Sequence, residues 1–521
     1  METKPLYPID TANFRKIREN GFVYVDKTNY IHTFLKNKGT YFFLARPRRF
    51  GKSLFLDTLA EYFKGNRQLF KGLAIDSLQP EEWDSYPVLR FNFTGKDYSD
   101  SSSFISHIND QLEMLEDEYG LEKSAKEYEG RFAYLIKRIA KKTGKRIVVL
   151  IDEYDAPLSF AIGNTGLQEI YRSQLHGFYS VLKSSEEYIH FCFLTGVTRY
   201  GKVSVFSGLN NLKDITFLDD YAGICGITTE ELHSYYSKGI EDLASHMKMT
   251  QEKIYDLLRF NYDGYHFSPK LLDIYNPYSI NNAMADLAFK DFWCKSGVPT
   301  ILSKSLLKND FNVESLNGKK VSESDLSDLS MFTDNPVPLF YQTGYLTIKS
   351  FEENRRRYTL GYPNREVESS ILGNILKVYL NAKDDRQGFV FDMEDALEAG
   401  DVKQFIKLMS SFLADIPSQL HKYVDKYENY YHTIFYCLTR LIGLDVEAEY
   451  STSDGFIDML IKTKKYIYII ELKINGTAAD AMAQIETKRY DAPFESDIRK
   501  LIKIGLGFSK ERNNIESYLV K

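Results

Sequence analysis

The chain has 521 residues, is 43% hydrophobic and 26% charged, and carries a formal net charge of −6. Its length allows roughly three domains of ordinary size, and its composition excludes wholesale disorder, a fibrous repeat and a uniformly basic nucleic-acid coat. Four scattered cysteines, Cys192, Cys225, Cys294 and Cys437, form no CxxC pair, which excludes a disulfide framework or cysteine zinc site and suits a reducing, cytoplasmic setting. Met1–Pro5 leads into no apolar stretch, so no secretory leader is expected. No apolar run approaches the roughly 18 residues of a membrane helix, so no membrane partner is expected either.

Within residues 1–230, short apolar runs at Tyr41–Ala45, Pro87–Phe93, Arg146–Ile151 and Ile189–Thr195 alternate with helix-like stretches such as Leu54–Phe63 and Glu169–Leu182. This alternation predicts a parallel sheet covered on both faces. Between the first strand and its helix stands Arg46-Pro47-Arg48-Arg49-Phe50-Gly51-Lys52-Ser53. A phosphate loop, GxxxxGK[ST], curls backbone N–H groups around phosphate at a helix N-terminus. It supplies a lysine to the β/γ-phosphates and a hydroxyl to Mg²⁺. Gly51, Lys52 and Ser53 match, whereas Arg46 occupies the place of the first glycine. Alone, the segment reads equally well as a basic surface turn; the flanking strand and helix, and a second motif, favour the loop.

That second motif is the apolar strand Arg146–Ile151 running into Asp152-Glu153. Asp152 is placed to hold Mg²⁺ through water, and Glu153 to polarise the attacking water as general base. Thr195 and Arg199, leaving the next strand, are candidates to sense a γ-phosphate. The run Arg131–Arg146 holds seven Lys/Arg and no acid. It is a candidate phosphate-contacting face, although such runs are more often solvated helix faces.

Residues 231–370 open with helical patterns (Thr229–Ser237, Lys253–Phe260). They then turn at Asn276-Pro277 and Pro336–Pro338 and give two strands, Leu346–Ser350 and Tyr358–Leu360, as in a small helical or winged-helix-like module. Residues 371–521 start helical and continue with strand-like runs at Leu444–Tyr450, Gly455–Ile461 and Tyr466–Leu472 and a helix over Ala478–Tyr490. That is an α/β unit of its own.

Several segments resemble the predicted AAA-ATPase-like family found widely in anaerobic bacteria. They are Tyr24-Val25-Asp26-Lys27-Thr28, the RPRRFGKS loop, Ser207–Asp214, Tyr275–Ser279 and Tyr341–Thr347. In that family Arg46 is the usual residue at its position. The resemblance implies an additional-strand P-loop ATPase fold, related to STAND and AAA+ proteins, over 1–230 and a winged-helix-like lid over 231–370. It implies ATP and Mg²⁺ held by Arg49, Phe50, Gly51, Lys52, Ser53, Asp152, Thr195 and Arg199. At least one of Arg46, Arg48 and Arg49 is expected to face nucleotide phosphate or a neighbouring subunit.

In the C-terminal unit, Glu471 and Lys473 share a strand face because side chains alternate, and an antiparallel hairpin brings Asp458 near them. Two carboxylates would bind Mg²⁺ or Mn²⁺ while the lysine orients the water that attacks a phosphodiester. An E-x-K tripeptide alone carries almost no weight and reads as an exposed strand end with a salt bridge. The spacing of Asp458, Glu471, Lys473 and Gln484 is similar to the PD-(D/E)XK nuclease superfamily, whose domain commonly follows the lid in the ATPase family. That resemblance implies an α/β restriction-endonuclease-like domain over 371–521. Glu449 matches an extra acid, and Gln484 and Tyr490 match a QxxxY-like element with a gap of five residues. The nine histidines show no HExxH spacing, and His432 is read as structural.

The expected protein is an ATPase coupled to a metal-dependent nuclease. Glu153, Asp458, Glu471 and Lys473 would be catalytic, and Ser53, Asp152, Asp458 and Glu471 would hold metal. Nucleic acid, DNA rather than RNA, is the expected partner, with a homo-oligomer and a setting of bacterial defence or mobile elements implied by the family. One alternative is a STAND-like regulatory switch whose C-terminal domain binds nucleic acid without cutting it. Another is an interaction protein with both sites silent.

Overall fold

A computed structural model describes the chain except for residues 1–3, 82, 124–125, 200–204, 207–208, 210, 294–315, 328–334, 381–386, 415–433, 435, 439, 442–444, 475 and 510–513. Two compact units result, Met1–Ser296 with Asn317–Val367, and Gly297–Leu316 with Glu368–Lys521.

The first unit is built on β1 (Tyr41–Ala45), β2 (Val88–Asn92), β3 (Ile147–Asp152), β4 (Ile189–Gly196) and β5 (Lys213–Asp214), all parallel, in the order β2-β3-β4-β1-β5. β4 therefore lies between β1, which feeds the phosphate loop, and β3, which ends in the acids. This inserted strand is the additional-strand arrangement expected of the fold. The central strands are apolar on both faces because helices cover both. On one side Phe34 and Phe55 pack against Phe42, Phe191 and Phe193. On the other, Phe104, Phe132 and Phe178, from the helices Ser103–Glu118, Tyr128–Thr143 and Thr165–Ser184, meet Phe91 and Phe93. These phenylalanines fill the space between the sheet and the helices that cover it.

The chain then pairs β6 (Ile227–Thr228) with β7 (Ile274–Tyr275) around the helices Thr229–Met247 and Gln251–Tyr262. Thr228 and Glu231 form a capping box at the first of these, and Thr250 caps the second, satisfying donors that a helix start leaves orphaned. Beyond it, β8 (Lys320–Ser322), β9 (Thr347–Glu352) and β10 (Arg357–Gly361) form an antiparallel sheet in the order β8-β10-β9 beside the helix Val337–Gln342. That is the winged-helix-like module.

In the second unit β11 (Asp445–Thr452), β12 (Gly455–Lys462), β13 (Tyr466–Ile474), β14 (Lys500–Ser509) and β15 (Asn514–Val520) are adjacent in chain order. Only β13 and β14 pair in parallel, across the helix Ala478–Thr487. Gly505 and Gly507 let that helix lie on β14: a Cβ on either would come within 2.9 Å of backbone atoms of the helix. β14 and β15 were not foreseen from the sequence, because glycine and lysine break up their apolar runs. Tyr490 lies past the end of the helix, since Arg489 takes a left-handed conformation (φ 45°) that no α-helix continues. Among the described residues no helix is long and apolar enough to cross a membrane. Cys192, Cys225 and Cys437 are buried; Cys294 and His432 lie outside the described residues.

Candidate nucleotide and nuclease sites

β1 delivers the chain into the loop Arg46–Phe50, and the helix Lys52–Phe63 begins at Gly51, which holds φ at 98°. Only glycine adopts that value without strain, so the turn that aims the first N–H groups of the helix outward rests on this residue. Lys52 is almost wholly buried. Its Nζ donates to the Pro47 carbonyl at 3.1 Å and lies 3.3 Å from Glu153 Oε1. Glu153 reaches it because its own φ is 49°, a conformation that is costly for a non-glycine residue and clusters at functional sites. Burial holds the Glu153 carboxyl above its ordinary range; Lys52 opposes this, and Asp155 and Asp152 add to it. Asp152 Oδ1 accepts from Thr195 Oγ1 at 2.6 Å and from the Glu153 N–H at 3.1 Å. Lys52, Glu153, Asp152 and Thr195 thus form one connected group, with half-buried Ser53 next to Lys52 on the helix.

The other candidates sit differently. Arg46 points inward: it donates to the carbonyls of Ala45, Thr216 and Tyr221 and stacks 4.3 Å from the Phe267 ring. It is a tether for the loop, not a phosphate or subunit contact. Burial lowers its pKa. Arg49 is exposed and lies 3.9 Å over Tyr278. Phe50 packs edge-on to Tyr265 and Phe267, so it offers the site only its backbone. Arg199 is drawn to Asp214, 2.7 Å away, and over the Phe217 ring. In the basic run, Arg131 is buried against Glu116 at 2.5 Å, and Lys142 and Lys145 donate to backbone carbonyls. That helix is therefore partly structural.

Residues to which the sequence reading gave no site role support the group. Asp155 is buried and accepts from the Val197 and Thr198 N–H groups and the Thr198 hydroxyl, fixing the exit of β4. Lys27 donates to both oxygens of Glu231 and to the Gly223 carbonyl, while Asp26 accepts from Thr28 and Ala74. The DKT segment is thus a clasp onto the helix Thr229–Met247. Gln342 bonds the Arg199 N–H at 2.6 Å, and the hydrogen of Gly344 faces Pro47 where a Cβ would come within 2.7 Å. Trp293 Nε1 donates to the Arg48 carbonyl at 3.0 Å. The clusters of tyrosine, glutamine and glycine in these segments were the available signal. A largely apolar cavity of about 70 Å³ opens beside Gly51, with Val23, Val25, Leu54, Pro277 and Asn281 in its walls.

In the second unit, pairing of Met459 with Ile470 puts Asp458 beside Glu471. Asp458 Oδ2 accepts the Leu472 N–H at 2.7 Å, and Lys473 Nζ donates to Glu471 Oε1 at 3.0 Å. The Glu471 side chain is fully buried, and its Oε2 has no hydrogen-bond partner. Burial, with Asp458 adding and Lys473 opposing, pushes its carboxyl up to about 7. Gln484 Nε2 donates to the Tyr490 hydroxyl at 3.3 Å, and that hydroxyl lies against Gly455 at the start of β12. Glu449 is on β11, where the register brackets it opposite Asp458 (Ala448 with Met459, Tyr450 with Ile457); its side chain is outside the described residues. Among the described residues no three or more His, Cys, Asp or Glu side chains form a metal cluster. An orphaned, buried carboxylate oxygen beside a second carboxylate nevertheless fits a hard divalent cation.

Two family models agree with this division. A model described as a predicted AAA-ATPase matches residues 8–206, and a PD-(D/E)XK nuclease superfamily model matches residues 426–518. A relative from Azotobacter chroococcum mcd 1, named only as an uncharacterized protein in the vnfD 5' region, is 32% identical over 524 residues, covering 99% of this chain and 98% of that protein. The Aeropyrum pernix ORC2 protein, solved as ADPNP-ADP complexes, aligns with 72% of this chain and 97% of its own at 10% identity and a TM-score of 0.23. With a relative matched along nearly its whole length and both family models on the units that hold the two residue groups, the chain belongs to the predicted AAA-ATPase family and carries a C-terminal domain of the PD-(D/E)XK nuclease superfamily.

Proposed function

We propose that the chain binds and hydrolyses ATP at the Lys52 group and cleaves nucleic acid at the Asp458–Glu471–Lys473 group. The observation that carries the nuclease half is Glu471 Oε2, fully buried and unpartnered. A buried carboxylate costs several kcal/mol unless compensated, and Lys473 compensates only Oε1. Mg²⁺ or Mn²⁺, once bound, would polarise the scissile phosphate and favour ionisation of the attacking water. The chain's own parts are then clear. Asp458 and Glu471 would hold the ion, Lys473 would face charge developing on the phosphate, and Gln484 with Tyr490 would brace the strand that carries Asp458.

In the first unit, the N–H groups after Gly51 would take phosphate, Lys52 the β/γ oxygens, and Ser53 and Asp152 the Mg²⁺ shell. Glu153 would accept the proton of the attacking water, and its raised pKa brings it closer to the operating range of a general base. The apolar hollow beside Gly51 would offer the base a wall. The Lys52–Glu153 ion pair favours a second reading, the regulatory switch, because nucleotide must part these two residues to engage Lys52. The purified chain, with Mg²⁺ or Mn²⁺ and with or without ATP, is to be tested on labelled single- and double-stranded DNA and RNA. Cleavage lost in Asp458→Ala, Glu471→Ala and Lys473→Ala is the expected result. A wild type that binds ATP and cuts nothing leaves the switch.

A further inference from the structure

β12 carries more than Asp458. Side chains alternate along a strand, so Phe456 and Asp458 project to one face of β12 together, with Leu460 further along it. Phe456 is 61% exposed. Among the described residues it belongs to no hydrophobic cluster and meets no other ring. Its cross-strand partner is Ser451, and the hairpin tip beside it is Ser453 and Asp454, all exposed. One exposed phenylalanine on a surface is ordinary; its position is what distinguishes this one. Two residues along a strand span about 6.8 Å, roughly twice the 3.4 Å rise of one nucleic-acid strand. The ring therefore stands within one or two nucleotides of any phosphate held at Asp458.

Resting on the nuclease reading above, we propose that Phe456 is a stacking platform for an unpaired base next to the scissile phosphate. The site would then select single-stranded or frayed nucleic acid over intact duplex. A paired base keeps its faces covered by its neighbours, whereas an unpaired base exposes a π-face that an aromatic ring takes up with little regard to sequence. Phe456 is here a positioning residue, and the ion-holding carboxylates are untouched by its replacement.

The test uses the full-length chain carrying Lys473→Ala, so that nothing is cut while both carboxylates stay, and short DNA and RNA single strands containing 2-aminopurine, beside a duplex of the same sequence. Stacking should quench the fluorophore. Adding Phe456→Leu, which keeps an apolar side chain without a ring, should abolish quenching and weaken single-strand binding by about 5- to 150-fold, the range stacking supplies per base. Phe456→Trp should restore both, and duplex affinity should not change. Melting curves confirm that each variant folds. Single-strand affinity equal in the Leu and Phe forms, or no single-strand binding at all, overturns the proposal. In the chain with Lys473 intact, cleavage of single strands that is unaffected by Phe456→Leu overturns it while leaving the nuclease reading standing. Phe456-dependent binding with no cleavage under any metal sinks the nuclease reading alone.

Discussion

At Lys52 a compact charge is held between a carbonyl and a carboxylate. Lys52→Ala should weaken ATP binding by about 1.5–3 kcal/mol, the scale of one charge-assisted hydrogen bond, in a nucleotide titration. Glu153→Gln keeps the shape and removes the base. ATP should still bind, while steady-state phosphate release falls about 10²-fold or more. Asp263 provides a pH signature independent of either site. Burial, with Asp273 adding, lifts its carboxyl from 3.8 to about 6, against the Gly264 N–H, the Tyr275 hydroxyl and Arg259. A carboxyl whose folded pKa is raised carries no penalty below the unfolded value and the full penalty once pH exceeds the folded one. Stability conferred by the protonated form is thus lost as pH rises from about 4 to about 6. Asp263→Asn should gain about 1–2 kcal/mol on wild type between pH 4.5 and 7.5 in urea unfolding.

Elements in this molecule are joined by buried polar contacts at their ends. Arg46 ties the end of β1 to the carbonyls of Thr216 and Tyr221. Arg46→Gly, which would restore the general phosphate-loop pattern, should cost about 3 kcal/mol by leaving buried carbonyls unpaired, read as a lower unfolding midpoint, and should not improve ATP affinity. The winged-helix-like module meets the loop through Gly344, whose φ of 89° and closeness to Pro47 leave no room for a side chain. In the nuclease domain the Gly505 and Gly507 pair does the corresponding work for the helix Ala478–Thr487.

Across the whole molecule, the two residue groups stand on separate compact units with separate cores. Mutations with no shared partners act independently. Asp458→Ala should therefore abolish cleavage of labelled DNA or RNA and leave ATP affinity within experimental error of wild type. Double substitution of Asp458 and Lys473 should be no worse than either alone, because each disables the same step.

The apolar runs of β1, β3 and β4, the Gly51-Lys52-Ser53 turn, the Asp152-Glu153 pair and the Asp458, Glu471, Lys473 spacing were all legible in the sequence. Strand period and local turn chemistry act over a few residues, and these signals need no knowledge of distant partners. Tertiary structure alone decided the partners of the long cationic side chains. Arg46 turns inward because carbonyls of residues 216 and 221, far along the chain, are waiting there, and Arg199 is taken by Asp214. It also decided that Glu153 meets Lys52 and that one oxygen of Glu471 is left unpaired in the core. A motif fixes residue types and spacing along the chain. Which charge meets which carbonyl or carboxylate is fixed only when strands distant in sequence are laid side by side and water is excluded between them.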